Sequence, residues 1–191
     1  MTSADRPTRR ETLRGALAGG LVLAFVRDSR ALASSGDQAE VETLARIARL
    51  EQTAAVAYRA LAEGVALPRP LADAAGLFGR QAQEDADALA RALEALGGKA
   101  PPPPQPGDID GLAAVRTRAD FLAFAIGMEN RNVRAYVDAL SELESPGTLR
   151  LCTAAMANAG QRLVVLREAA GATPAEAVPT AFEIGRSPAP G

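Results

Sequence analysis

From Asp37 onward, apolar side chains recur three and four residues apart, the spacing of one face of an α-helix. Val41, Leu44, Ile47/Ala48, Ala54/Ala55, Tyr58 and Leu61 share such a stripe with Glu51 among them, and the pattern stops at Gly64 with Pro68 and Pro70 beyond. This predicts a first long helix. A second starts near Pro70 and runs through Leu71, Ala75, Phe78, Ala82, Leu89, Leu93 and Leu96 to the Gly97-Gly98 stop, with Asp85 as the one charged position on its stripe. A third runs from about Thr117 to Leu143 through Phe121, Phe124/Ala125, Met128/Glu129, Tyr136 and Leu140. The fourth begins at Ser145, a cap before Pro146, and passes through Leu149, Cys152, Met156, Ala159, Arg162/Leu163 and Leu166 to Gly171.

Between the second and third blocks lies Lys99-Ala100-Pro101-Pro102-Pro103-Pro104-Gln105-Pro106-Gly107, where proline removes donors and holds the backbone extended, so a stiff exposed strap is expected. Two short connections and one long one predict an all-α four-helix bundle with a single crossover between helices 2 and 3, over residues 38–171. The halves repeat. Glu51 and Tyr58 recur as Glu129 and Tyr136, each 78 positions on, while Ala82, Asp85 and Leu89 correspond to Ala159, Arg162 and Leu166, each 77 positions on. Residues 172–191 form a Pro-rich tail whose Val178, Ala181, Phe182 and Ile184 are able to pack on the bundle.

Composition supports helices over sheets. Ala and Leu recur throughout, aromatic residues make up only 4%, and Trp is absent. Residues 1–33 stand apart: Arg9-Arg10 and Arg14 precede an apolar run from Gly15 to Val26, and Ala31-Leu32-Ala33 follows. Charged, then apolar, then small-x-small is the order of a cleavable export signal, and the paired arginines resemble the twin-arginine type, with Thr12 where a bulky apolar residue is usual. The competing reading is a disordered Arg-containing N-terminus. An apolar run of this length is too short to span a bilayer, so no membrane anchor is expected and the mature chain belongs in the periplasm, the cell envelope or the extracellular space. Six of the 21 basic and three of the 23 acidic residues lie in that segment, which leaves a net −5 on the remainder and does not suit a nucleic-acid backbone. Cys152, the single cysteine, is expected to pack as a small hydrophobe. No glycine-rich phosphate loop, Ser-His or Cys-His nucleophile or zinc-type cysteine spacing is present.

Candidate chemistry is confined to charges on the apolar stripes: Glu51, Asp85, Glu129 and Arg162, with Tyr58, Tyr136 and Asn132 beside them. The tyrosines are expected to pack with their hydroxyls tied down, and Asn132, one turn after Glu129, to hydrogen-bond it. Glu84 and Asp87 fall off the second stripe; Glu63, Arg91 and Glu94 read as outer-face charges.

Leu50-Glu51-Gln52-x5-Tyr58 and the closing Val178-Pro179-x-Ala181-Phe182 resemble the exported bacterial branch of the ferritin-like family over about residues 38–185. The resemblance implies a di-metal centre built from one Glu on each of two helices and a Glu-x-x-His on each of the other two. Glu51 and Glu129 match the single glutamates. The other positions hold Ala82-Gln83-Glu84-Asp85 and Ala159-Gly160-Gln161-Arg162, and the whole sequence lacks histidine. Di-iron ferroxidase chemistry is therefore not expected, and no cofactor is assigned; the alternative is Mn, Fe, Mg or Ca held by the carboxylates of Glu51, Asp85 and Glu129 alone. Arg162 has two placements open: inward, pairing with those acids in place of metal, or outward at the stripe edge. Three functions follow: a non-catalytic binding or protective bundle, a carboxylate-only metal-ion store, or an enzyme using Glu51 and Glu129 as acid and base, which needs a cleft. Related bundles often pair through helix faces, so the resemblance extends to a homo-oligomer.

Overall fold

A computed structural model describes residues 35–179. The export-type segment, residues 1–33, and the tail positions Ala181, Phe182 and Ile184 lie outside the described residues. Four long helices, α1 (Ser35–Gly64), α2 (Arg69–Ala95), α3 (Arg118–Leu140) and α4 (Pro146–Ala169), are followed by a single turn, α5 (Pro174–Ala177), and no strand occurs among the described residues. None of these helices is long and apolar enough to cross a membrane.

Each start has a local cause. Thr117 caps α3 by accepting from the Asp120 amide while Asp120 accepts from the Thr117 amide, a reciprocal box that satisfies two free donors. Ser145 accepts from the Gly147 amide ahead of α4, with Pro146 in the first turn. The third helix ends at Leu140, short of the expected Leu143, because Glu142 closes a tighter turn onto Ala139.

α1 pairs with α2 and α3 with α4, while α1 lies beside α3 and α2 beside α4. Thr43 meets Glu142, Glu51 meets Tyr136 and Tyr58 meets Glu129, so α1 and α3 run antiparallel. Then α2 and α3 are parallel, and the chain between them must travel the bundle's length. Residues 96–117 do so along α1. Gln52 and Arg49 donate to the carbonyls of Pro101 and Pro102 at 2.8 and 3.0 Å, and Leu112 and Val115 join the core with Leu61 and Val65. The strap is less exposed than its prolines suggest, since Pro104 is buried. Nor is it wholly extended: Pro106–Asp108 forms a 3-10 turn, for which proline's missing donor is no handicap in first position.

The core is two apolar clusters. One, around Tyr58, Phe78, Phe121 and Leu166, includes an edge-to-face Tyr58–Phe78 pair at 5.6 Å. The other contains Leu44, Ile47, Leu89, Leu93, Tyr136 and Cys152. Burial pushes the Cys152 thiol up to about 11, with Glu40 adding to it, so it stays protonated. In the tail it is Ala177 that is buried; Val178, expected to pack, is 54% exposed because the chain is already extended there as α5 ends.

At the end of α2 the amides of Gly98 and Gly97 bond back to the carbonyls of Leu93 and Glu94, and Gly97 takes φ +83°, a left-handed turn that starts the strap. Gly97→Ala is expected to cost about 1 kcal/mol, read as a lower urea midpoint at unchanged slope.

Candidate functional site

Each of the four long helices contributes one charged residue to a single layer of the bundle. Glu51 falls between Ala48 and Ala54, Asp85 between Ala82 and Leu89, Glu129 between Met128 and Tyr136, and Arg162 between Ala155 and Leu166. Since the residues on either side belong to the two apolar clusters, the layer separates one cluster from the other. Glu51 and Glu129 are 0% exposed and Arg162 is 1% exposed, so three formal charges lie out of reach of water.

Arg162 takes the inward placement. Its Nε donates to Glu129 Oε1 at 2.8 Å and its Nη2 to Glu129 Oε2 at 3.1 Å, a planar two-point fork, and Nη2 also donates to Glu51 Oε2 at 3.3 Å. Nη1 faces Asp85 Oδ2 at 3.6 Å but forms no hydrogen bond among the described residues. The tyrosines bond crosswise: Tyr58 on α1 donates to Glu129 Oε1 at 2.7 Å, and Tyr136 on α3 donates to Glu51 Oε1 at 2.9 Å. Burial and the adjoining carboxylates hold both phenols well above their usual range, so they act only as donors.

The electrostatics follow from one cation among three acids. Burial pushes Glu51 up to about 8 against the lowering effect of Arg162, with Glu129 and Asp85 adding repulsion. Burial raises Glu129 also, while Arg162 and Tyr58 oppose it through three hydrogen bonds, two of them the guanidinium fork. Asp85, 14% exposed at its side chain, is raised by burial and lowered by its Asn158 and Arg162 contacts. Burial works against the Arg162 charge, yet Glu129 and Glu51 outweigh it and hold the guanidinium firmly protonated.

Asn132 is brought into the core but not to Glu129. Its amide nitrogen meets no acceptor among the described residues, and Glu129 is bonded by Tyr58 and Arg162 instead. Glu84, Asp87, Glu63, Arg91 and Glu94 are exposed. The sequence reading missed Asn158, whose amide donates to both Asp85 oxygens at 3.0 and 3.1 Å. Its position one turn before Arg162 was the available signal. It also missed Glu40, buried against the Thr148 hydroxyl and the Ser145 amide where α4 begins.

Most donors and acceptors of the layer are turned on one another, and among the described residues no three His, Cys, Asp or Glu side chains form a group able to hold a metal ion. Two surface grooves, one between α1 and α2 at Arg59, Gly76 and Gly79 and one under the strap at Leu61, Val65 and Leu112, contain none of the four charged residues. Acid–base catalysis by Glu51 and Glu129 would need such an opening.

Residues 39–172 match a family model described as a ferritin-like domain. No curated protein and no solved structure matches the chain.

Two outcomes test this geometry. Glu51 binds a proton in the fold that the unfolded chain releases near pH 4.5, so its contribution is fully present below that pH and lost as pH rises to about 8. A single proton sets a slope of about 1.4 kcal/mol per pH unit. In Glu51→Gln, which imitates the protonated acid, this component should vanish from denaturation curves taken across the window; equal slopes in both proteins would show that Glu51 is already ionised. Separately, Arg162→Ala strands buried carboxylates and should lower unfolding stability by about 3–5 kcal/mol at neutral pH, a loss that urea titration reads directly.

Proposed function

The chain belongs to the ferritin-like domain family, and from that premise we propose that it works without a di-metal centre, as an exported, non-catalytic binding or protective bundle whose middle is held by its own guanidinium. The observation that carries this reading is the two-point bonding of Arg162 to Glu129, extended to Glu51, in a layer otherwise made of acids. In the family's pattern the fourth-helix residue three after a glutamate is a histidine; here that position is Arg162, and the glutamate position is Ala159. The second helix offers Ala82 and Asp85 at the equivalent positions.

These residues do not fit two metal ions. Ala82 and Ala159 offer methyl groups, no imidazole exists anywhere in the sequence, and both oxygens of Glu129 are engaged. A divalent ion would also have to enter beside a buried, permanently charged guanidinium, at a Coulombic cost that low polarity magnifies. Any binding role therefore falls to the outer surface. Export rests on the arginine pair, apolar run and Ala-Leu-Ala order of residues 9–33.

Elemental analysis of protein purified without chelator, paired with thermal melts in added Mn, Fe, Mg or Ca, tests the proposal. Metal below one equivalent per ten chains, on the order of adventitious loading, and melting shifts below what a Kd near the added concentration would give are expected. Stoichiometric metal with a raised melting temperature would overturn it in favour of carboxylate-held ion storage.

A further inference from the structure

The two hairpins of the repeat, α1 with α2 and α3 with α4, end in the same turn. At the close of α2 the Gly97 amide bonds back to Glu94 and the Gly98 amide to Leu93, both at 2.9 Å; at the close of α4 the Gly171 amide bonds to Glu168 and the Ala172 amide to Arg167, at 2.9 and 3.0 Å. Gly97 and Gly171 both take positive φ, +83° and +105°, the left-handed conformation that turns a chain off the end of a helix. Proline follows each exit. A chain launched by the same turn from the same place in a repeated hairpin sets out in the same direction.

After the first exit the strap runs along α1, where Gln52, 9% exposed, donates to the Pro101 carbonyl at 2.8 Å. At 78 positions on, the spacing that relates Glu51 to Glu129 and Tyr58 to Tyr136, stands Asn130 on α3. It is buried too, at 7% exposed, although one residue past Glu129 places it about 100° round the helix from the inward stripe. Arg167 of α4 donates to its Oδ1 at 3.3 Å, but its Nδ2 meets no acceptor among the described residues. A buried amide donor calls for one. The surface around it is apolar: Ile126, Val133 and Val137 share its helix face at spacings of four, three and seven, and Val164 stands one turn before Arg167 on the facing helix. Val137 is 40% exposed and the other three are half-buried.

We infer that the chain after Val178 lies along this seam of α3 and α4 as the strap lies along α1, with a backbone carbonyl of residues 180–183 accepting from Asn130 Nδ2 and with Phe182 and Ile184 covering the apolar side chains. Extended chain suits the place, because its carbonyls have no partners of their own. α5 leads it there: the turn packs on α4, Ala177 is buried, and the backbone is extended again at Val178. Residues 178–184 span ~20 Å when extended, about the rise of thirteen helical residues, enough to run from the last turn of α4 past Arg167 and Val164. Any binding partner then meets other faces of the bundle, and the assignment does not depend on what holds its middle.

A spin label on Ala181→Cys in the full chain tests the inference, since burial keeps the Cys152 thiol protonated and out of reach of the reagent. Methyl resonances of Val133, Val137 and Val164 should broaden while those of Leu77 on α2 stay sharp. Broadening on α1 or α2, or none, would overturn it. So would broadening of an isotope-labelled chain mixed with a spin-labelled one, which would seat the tail of a second copy there. Thermal melts give an independent reading. Ending the chain at Pro179 and Asn130→Ala should each lower the melting temperature, and the two together should fall short of their sum by about 2–4 °C, the share of one buried hydrogen bond in a chain of this size. Losses that add in full, or a shortened chain that melts where the full one does, would show that Asn130 and the tail do not meet.

Discussion

A carboxylate taken out of water must be paired, neutralised by a proton or left in touch with solvent, and the three acids at the middle of this bundle each take a different course. Glu129 is paired, through the fork of Arg162 and the Tyr58 hydroxyl. Glu51 holds its proton up to about pH 8, because burial outweighs the lowering effect of the same guanidinium and Glu129 adds repulsion. Asp85 stays partly exposed and leans on Asn158. One fixed cation thus determines the state of every other group in the layer.

That layer also constrains how the helices meet. Apolar stripes of Ala and Leu slide past one another at small cost, since neighbouring turns present similar shapes. A polar layer does not allow this: displacing α4 by one turn would strand the guanidinium among alanines and leave Glu129 buried without a partner. The crosswise tyrosine bonds, Tyr58 to Glu129 and Tyr136 to Glu51, tie α1 to α3 in the same plane. Two apolar clusters therefore pack in a single register, with the layer as the seam between them.

The two halves echo one another along their stripes, and in the charged layer they differ at one pair of positions. Glu51 with Tyr58 and Glu129 with Tyr136 share this symmetry, and so do Ala82 and Ala159. Asp85 and Arg162 break it with opposite charges, which allows one half to supply the countercharge for the other. Membership of the ferritin-like domain family accounts for the scaffold.

By itself the sequence determined the four helices, the crossover between the second and third, and the stripe positions of Glu51, Asp85, Glu129 and Arg162. Periodicity, prolines and caps act locally, and a stripe position is a property of one helix. Whether Arg162 turns inward or outward was not determined, because Arg162 and Leu163 both lie at the stripe and only the facing helices decide which acids are near. Asn132 illustrates the limit: its spacing from Glu129 suits a hydrogen bond, yet the donors that Glu129 meets come from α1 and α4. Asn158 offered only its place one turn before Arg162, since its partner lies 73 residues away on α2. The path of the strap likewise depended on α1 offering Arg49 and Gln52 to the carbonyls of Pro102 and Pro101. Helices follow from neighbours along the chain, whereas pairing and protonation follow from neighbours in space, and those exist only once the bundle has closed.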